Sequence, residues 1–401
     1  MKNNLTALVI GTGAFQQKGL DYLKANGFKI IGVDGNPNAS GKETCDNFYH
    51  CDLNEYEKIV TIAKEENAAF AVGFECDPAV EPVNIVNKAL GLKALNEDAR
   101  KASMDKLMVR HIQKKLGLNC PEFYEIYSLE ELKKIHSASD HNWVLKPIAS
   151  SGSRGVELLS RSSNLEEAYA RSSKAKKPTE PLLLEEFIQG KEIALDGFCV
   201  NGECHALTIS HKDRSEPPYL LDIGLLISSD VQSELALEAK RQLGVIFRDL
   251  QTDLSSAYHA EFLYNEKGVH LVEFSFRGAG FNVFSKLIPQ VTGVDTLKFL
   301  VEQSQGLDLK WNATNPSHNA LYLGFFDGKD GVLKNVVVPE QIQNAPSTLE
   351  LNIYAKPGQT TNFLRSGADR LGHIILIGSV NDSLKDSFFN IKKQVQFIYE
   401  N

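Results

Sequence analysis

Tyr258-His-Ala-Glu-Phe-Leu-Tyr-Asn-Glu-Lys-Gly-Val-His-Leu-Val-Glu-Phe-Ser-Phe-Arg277 places two alternating runs on either side of Asn265-Glu-Lys-Gly268 and reads as a β-hairpin. With a connecting loop of about three residues, Glu261 faces Glu273 and His259 faces Ser275. Period two sends Ala260, Phe262, Tyr264, Val272, Phe274 and Phe276 to one face, which is core. His259, Glu261, Glu273, Ser275 and Arg277 go to the other, a polar cluster beneath something. Two directly opposed carboxylates repel unless a cation sits between them. A hard divalent ion held together with substrate phosphates, most naturally Mg²⁺, reverses that sign. The alternative is a solvated edge hairpin with scattered charges.

Two segments upstream carry groups of related chemistry. In Trp143-Val-Leu-Lys-Pro-Ile-Ala-Ser-Ser-Gly-Ser-Arg-Gly-Val156 a strand delivers Lys146, and a loop of small residues follows it. Small residues let backbone N–H groups approach phosphate oxygens, and the lysine adds a point charge. No GK[ST] follows the glycines, and neither an HRD nor a DFG triplet occurs, so this is neither a Walker loop nor a kinase. A mobile Ser/Gly hairpin is the other reading. In Pro181-Leu-Leu-Leu-Glu-Glu-Phe-Ile-Gln-Gly-Lys-Glu-Ile-Ala-Leu-Asp196 an apolar strand ends in two acids, turns at Gly190 and resumes at Glu192. That connection can offer backbone groups and a carboxylate to a purine and a second carboxylate to ribose, or be a plain strand–turn–strand.

Around these pieces the chain falls into three stretches. Residues 1–100 alternate strand and helix: strands at Leu5–Ile10, Phe28–Val33 and Ala69–Gly73, helices at Phe15–Ala25, Glu55–Glu66 and Pro82–Leu90. This alternation implies a parallel sheet with crossover helices. Gly11-Thr-Gly13 after a strand, with Asp34 about 20 residues on, invites a dinucleotide site, but Gln16 stands where the fingerprint wants its third glycine. A turn that holds phosphate or substrate is the better reading. A helix over 98–118, helices near 128–137 and 164–175, and strands ending at Lys146 and Glu186 follow. Residues 172–179 read as an exposed loop. Residues 182–310 are strand-rich, then helical from Ser285. The last ninety residues hold short strands, turns and a final helix over Asp382–Gln394, a small α+β lobe.

The 401 residues suggest two or three domains at roughly 150 residues each, and 42% apolar content is ample for a large core. With 43 basic against 51 acidic residues, the balance of −8 argues against a nucleic-acid protein. No apolar run approaches the ~18 residues that span a bilayer. Met1 to Asn4, leading straight into a β-branched run, is too short for a signal peptide. The six cysteines form no CxxC and match no zinc spacing. Reduced thiols in the cytoplasm are the expectation.

Taken in order, these pieces resemble the ATP-grasp superfamily, strongly over roughly 100–310 and loosely in the flanks. The resemblance rests on Asp105-Lys106, Val144-Leu-Lys146-Pro147 with Ser151-Gly-Ser-Arg-Gly-Val156, and Leu184-Glu-Glu-Phe-Ile-Gln-Gly-Lys-Glu192. It continues with Glu261, Glu273-Phe-Ser-Phe-Arg277 and Leu287-Ile-Pro-Gln-Val-Thr-Gly-Val-Asp295. Lys356-Pro-Gly and Asp369-Arg-Leu-Gly372 add a likeness to carboxylate–amine ligases of the L-amino acid ligase type. The resemblance implies an α/β and α+β multidomain protein. A Rossmann-like pre-ATP-grasp domain would cover 1–100. An ATP-grasp core of two α+β subdomains would cover 101–310, with about 120–188 as a mobile lid. A small α+β lobe over 311–401 would complete the fold.

It also implies roles. Lys106 and Lys146 would contact ATP phosphates, and a loop including Ser151, Gly152, Ser153 and Gly155 would close over them. Glu185 and the backbone of Glu186 and Ile188 would hold adenine beside Phe187, and Glu192 would bind ribose. Glu261 and Glu273 would hold Mg²⁺ (Mn²⁺ in its place), with Ser275 where the family usually carries Asn, a departure that leaves the number of ions open. Arg277 would orient a substrate carboxylate and, with Lys146, act on the transferring phosphoryl group. His211 and Arg214 fall where relatives place a substrate-facing loop. The implied reaction joins a carboxylate to an amine through an acyl phosphate, releasing ADP and phosphate. A carboxylase that activates bicarbonate, and a nucleotide-binding protein without turnover, are the alternatives. The expected partners are a small-molecule carboxylate and amine, with a homodimer as a possible assembly and neither nucleic acid nor membrane.

Overall fold

Continuous apolar runs at the start of the chain form strands that are covered on both faces. In the computed structural model, which describes residues 5–150, 154–216, 221–251, 255–307, 318–379 and 383–400, the first domain alternates as expected. It comprises β1 (Thr6–Ile10), α1 (Gln17–Ala25), β2 (Lys29–Asp34), β3 (Asn47–His50), α2 (Tyr56–Glu65), β4 (Phe70–Val72) and α3 (Val80–Ala89). The sheet is parallel in the order β3-β2-β1-β4. The short edge strand β3 escaped the sequence reading because it has no buried residue and no apolar run. The glycine turn after β1 closes on its own domain: Asp34 accepts from the Thr12 amide at 2.7 Å and from the Asn36 amide at 2.8 Å. Gln16 is buried there, with Nε2 3.5 Å from the Glu75 carbonyl. The acid that a dinucleotide ribose would need is thus holding the turn itself.

The helix expected over 98–118 is two: α4 (Glu97–Ala102) and α5 (Lys106–Lys115). Asp105 breaks them, its carboxylate capping the Leu107 and Met108 amides at 2.9 and 3.1 Å. The next subdomain contains β5 (Phe123–Ile126), α6 (Leu129–Ser137), β6 (Trp143–Pro147), β7 (Glu157–Leu159), α7 (Leu165–Ser173) and β8 (Leu182–Glu186). Its antiparallel sheet, ordered β5-β8-β6-β7, has its own core around Trp143, Leu145 and Leu184. The loop expected from 172 starts later, since α7 runs to Ser173 and Ser172 is fully buried.

The largest element is an eight-stranded antiparallel sheet. It begins with β9 (Lys191–Val200), β10 (Glu203–Arg214) and β11 (Asp222–Ser228), then α8 (Glu234–Asp249), β12 (Ser256–Asn265) and β13 (Gly268–Ser275). Leu243 and Phe247 of α8 pack against Tyr258, Ala260, Phe262 and Phe274 on one face. A π-turn over Val283–Leu287, α9 (Ile288–Thr292) and α10 (Thr296–Ser304) cover part of the other. The C-terminal segment adds β14 (Ala320–Phe326), β15 (Gly331–Val337), α11 (Glu340–Gln343), β16 (Thr348–Ile353), β17 (Thr360–Thr361), β18 (Gly372–Gly378), α12 (Leu384–Gln394) and β19 (Gln396–Tyr399). Strands β14, β18 and β16 extend the same sheet, giving the order β13-β12-β9-β10-β11-β14-β18-β16. Strands β17, β15 and β19 form a separate small sheet. Among the described residues no helix is long and apolar enough to cross a membrane.

The hairpin has the expected pairs Glu261–Glu273 and His259–Ser275, but by a different route. Its turn contains only Glu266 and Lys267, and a bulge between Glu261 and Phe262 makes up the missing residue. Val272 is therefore not a core residue as expected; Leu271 and Val269 take that face, and Val272 looks into a cavity. A bulge adds one residue to one strand and shifts the side-chain alternation.

Candidate active site

The floor of the site is one face of the eight-stranded sheet. Strand β12 brings His259 and Glu261, β9 brings Glu192 and Asp196, and β10 brings Thr208, Ser210 and Lys212, each at a period of two. Register aligns them: His259 pairs with Asp196, which pairs with Thr208, and Glu192 pairs with Lys212. Lys212, with 3% of its side chain exposed, meets Glu192 at 3.0 Å, Asp222 at 3.9 Å and Glu261 in a short contact. Burial works against its charge, but Asp222, Glu192 and Glu261 hold its pKa well above the ordinary lysine value. Burial likewise opposes charge on Glu261, yet Lys212 and His259 hold that carboxyl well below the usual range. His259 Nδ1 lies 2.8 Å from Asp196, which overcomes burial and pushes the imidazole up to about 9. His259 is thus a cation at neutral pH.

The opposed carboxylates each have a separate lysine. Glu261 has Lys212, and Glu273 has Lys106 at 2.7 Å. Lys106 opens α5 and also donates to the Ser150 carbonyl at 2.7 Å. The wall above comes from the lid-like sheet. Lys146 is buried on β6 in a short contact with Glu185 of β8, whose other oxygen accepts from Arg110 Nε at 2.9 Å. Burial raises the Glu185 pKa, but Arg110 and Lys146 outweigh it and bring it to about 2. Arg110 itself had no signal in the sequence beyond its place on an amphipathic helix.

Two cavities meet at the carboxylate pair. The larger, about 620 Å³, is lined by Lys146, Glu185, Phe187, Ile188, Glu192 and Val272 among others. The smaller, about 260 Å³, holds Arg277, Asp77, Ser275 and His259. Lys106, Ser150, Glu261 and Glu273 line both. Glu186 also lines the larger cavity, but its amide and that of Phe187 are committed to the Glu122 and Asn142 carbonyls at 2.8 Å each. Gly155 sits at φ +74°, where a Cβ would come 2.8 Å from Ala175 and 3.1 Å from Pro147, so only glycine fits. Ser151, Gly152 and Ser153 lie outside the described residues.

The structure separates the expected substrate residues. His211 and Arg214 line the larger cavity, not the one with Arg277. Arg214 is engaged by Glu192 at 3.0 Å and Asp222 at 2.5 Å, while His211 has its ring against Tyr264 and its pKa lowered by burial. Arg277 forms a bidentate pair with Asp77 of the first domain, Nε to Oδ1 at 2.6 Å and Nη2 to Oδ2 at 3.0 Å. Ser275 is buried, accepts from the Ser103 hydroxyl at 3.3 Å and lines the same cavity as Asp77. Two residues before Asp77, Glu75 accepts the Asn282 and Ser285 amides at 2.8 and 2.9 Å. Burial pushes that carboxyl up to about 7. Among the described residues no three His, Cys, Asp or Glu side chains converge as a metal cluster.

Lys212, Asp196 and Arg110 are the functional-looking groups that the sequence reading missed; Asp77 lies in Glu75-Cys-Asp-Pro78, a stretch that follows a strand at the expected ligand edge of the first domain and reads as a contact for a substrate amine. Lys212 had a readable signal: Thr208, Ser210, Lys212 and Arg214 form a polar row at every second residue of a strand.

Residues 139–284 match the ATP-grasp domain family, and residues 325–400 match L-amino acid ligase C-terminal domain 2. The formate-dependent phosphoribosylglycinamide formyltransferase of Methanocaldococcus jannaschii is 25% identical over 195 residues, 47% of this chain and 49% of that enzyme. The match thus spans about half the length of that relative. The enzyme of the same description from Prochlorococcus marinus (strain MIT 9301) is 24% identical over 313 residues, 72% of this chain and 71% of the other. The fold is similar to the crystal structure of L-amino acid ligase from Bacillus licheniformis, with a TM-score of 0.84, 16% identity and full coverage of both chains.

Proposed function

This chain belongs to the ATP-grasp superfamily, and we propose that it is an ATP-dependent ligase that activates a carboxylate as an acyl phosphate and joins it to an amine. The observation that carries the reading is the position of Glu261 and Glu273. They stand opposed across a hairpin where a nucleotide-sized cavity with two lysines opens into a second cavity with a part-buried arginine.

The donor set fits a hard divalent ion: two facing carboxylates leave the remaining coordination positions to phosphate oxygens and water, the usual arrangement for Mg²⁺. Ser275, buried and bonded to Ser103, is left out of the proposed set. When bound, Mg²⁺ or Mn²⁺ supplies positive charge against the oxygens of the transferring phosphoryl group. The chain's own residues do the rest. Lys106 and Lys146 neutralise phosphate oxygens, with Gly155 in the loop that follows β6. The apolar wall that includes Phe187, Ile188 and Val272 suits a purine face, and Glu185, Glu186 and Glu192 supply acceptors around base and ribose. Arg277, oriented by Asp77, holds the acid substrate so that its oxygen meets the γ-phosphorus in line. The O–P bond forms as the bond to ADP breaks. The amine then attacks the carbonyl carbon, the C–N bond forms, and phosphate leaves with the C–O electron pair and takes up the amine's proton. His259, kept charged by Asp196, is not the base in this scheme.

The 120–188 subdomain serves as the lid in this reading, and His211 and Arg214 position nucleotide or acceptor from the β10 side. Six free thiols are compatible with a reducing cytoplasm, and sedimentation velocity decides between monomer and homodimer. The test is a screen of paired acids and amines by phosphate release with mass detection of product. Amide product with ADP formation supports the ligase; ADP formation stimulated by bicarbonate alone points to a carboxylase; nucleotide binding without any turnover overturns both.

A further inference from the structure

We propose that Arg110 is a positioning residue that sets the Glu261–Glu273 pair by clamping the bulge of β13; the inference rests on the metal-binding reading above. Phe262 to Asn265 pair with Leu271 to Gly268, while His259 to Glu261 pair with Ser275 to Glu273, so Val272 is the extra residue. Without a bulge, Val272 would stand opposite Glu261. Glu273 would then stand opposite Ala260, whose side chain is in the core. The bulge is what turns Glu273 to the cavity.

A bulge leaves ladder groups unpaired, and β13 is an edge strand with no neighbour on its outer side. Arg110 fills that role from α5. Its Nη1 donates to the Leu271 carbonyl and its Nη2 to the Val272 carbonyl, each at 3.0 Å. Consecutive carbonyls of a regular strand point to opposite sides, so one guanidinium can take both only at such a distortion. Nη1 also donates to Gln113 at 2.7 Å and Nε to Glu185 at 2.9 Å. The side chain is 2% exposed, and with Glu185, Leu271 and Val272 it stands in the wall of the larger cavity. One planar fork thus ties Glu185, beside Lys146, to the backbone that aims Glu273. Lysine would retain the charge against Glu185 but lacks the fork.

The experiment measures the affinity of the full-length protein for ADP with and without Mg²⁺ by calorimetry. The readout is the metal-dependent gain, which a merely structural role would leave in place. Arg110→Lys is expected to lower that gain, read as the ratio of ADP affinities with and without Mg²⁺, about 10–100-fold, the usual effect of losing a group that orients a metal ligand. Deleting Val272 removes the bulge and leaves Glu273 opposite Glu261 in a regular ladder; the gain should hold in that background, and adding Arg110→Lys to it should cost less than about twofold. A wild-type gain in Arg110→Lys overturns the proposal. If that variant lacks a cooperative thermal transition, a loss of about tenfold or more on adding Arg110→Lys to the Val272 deletion overturns it instead. Glu273→Gln separates the two ideas. If it keeps the gain, the metal reading fails and the Arg110 role with it; if it loses the gain while Arg110→Lys retains it, only the Arg110 role fails.

Discussion

Arg277 grips Asp77 through two parallel hydrogen bonds of 2.6 and 3.0 Å, although 200 residues separate them. The smaller cavity is therefore built by two domains, and the arginine takes its direction from the first. Ser275 lines the same cavity and is bonded to Ser103.

Asp77→Asn should keep the arginine part-buried but misaim it. A misplacement of this kind costs on the order of 100-fold in turnover, with the KM for ATP unchanged. Steady-state phosphate release decides: a rise in the ATP KM at constant kcat would contradict the assignment of the second cavity to the acid substrate.

Glu273→Gln and Arg277→Ala should each abolish detectable ATP turnover, with losses of at least about 10²–10³-fold. Far-ultraviolet circular dichroism and a cooperative melt should show the fold intact. Turnover like the wild type's in either variant would refute the proposed site.

Lys212→Met removes the cation shared by Glu192, Glu261 and Asp222. Breaking such a buried set costs about 3–5 kcal/mol, readable as a lower urea midpoint. Added Mg²⁺ should restore more stability to this variant than to the wild type, because Glu261 is left with His259 alone. Equal responses to Mg²⁺ would count against metal binding at Glu261.

Glu75 supplies a pH test. Its folded pKa of about 7 lies above the ordinary 4.5 because burial disfavours the charged form. A raised folded pKa means that the protonated carboxyl contributes stability fully below about pH 4.5, and that this contribution is lost as pH rises through about 7. The difference between wild type and Glu75→Gln should therefore shrink or invert between pH 5 and 8 by at most about 3 kcal/mol. Parallel stability profiles for the two proteins would exclude this titration.

The sequence made the parallel N-terminal sheet, the β6 and β8 strands of the second sheet and the carboxylate pair readable because each is written in apolar periodicity or in an alternating strand. What stayed hidden has physical causes. The bulge at Val272 conserves the Glu261–Glu273 pair while shortening the turn, so a hairpin read without it is right at the acids and wrong at the core face. Asp77 and Arg110 act on partners far along the chain, and no local pattern encodes a partner 200 or 75 residues away. The break between α4 and α5 was legible in Asp105, a capping residue inside an apolar stripe. Strand β19 follows α12 directly, and its half-exposed residues leave no apolar run to mark it.

Because β14, β18 and β16 hydrogen-bond onward from β11, the boundary near residue 310 divides the chain in sequence but not in space. A fragment stopped there would bare the whole flank of β11 as a template for foreign strands. Any hybrid made with a relative has to carry the last ninety residues along with the catalytic sheet, since the two halves of that sheet are one continuous weave.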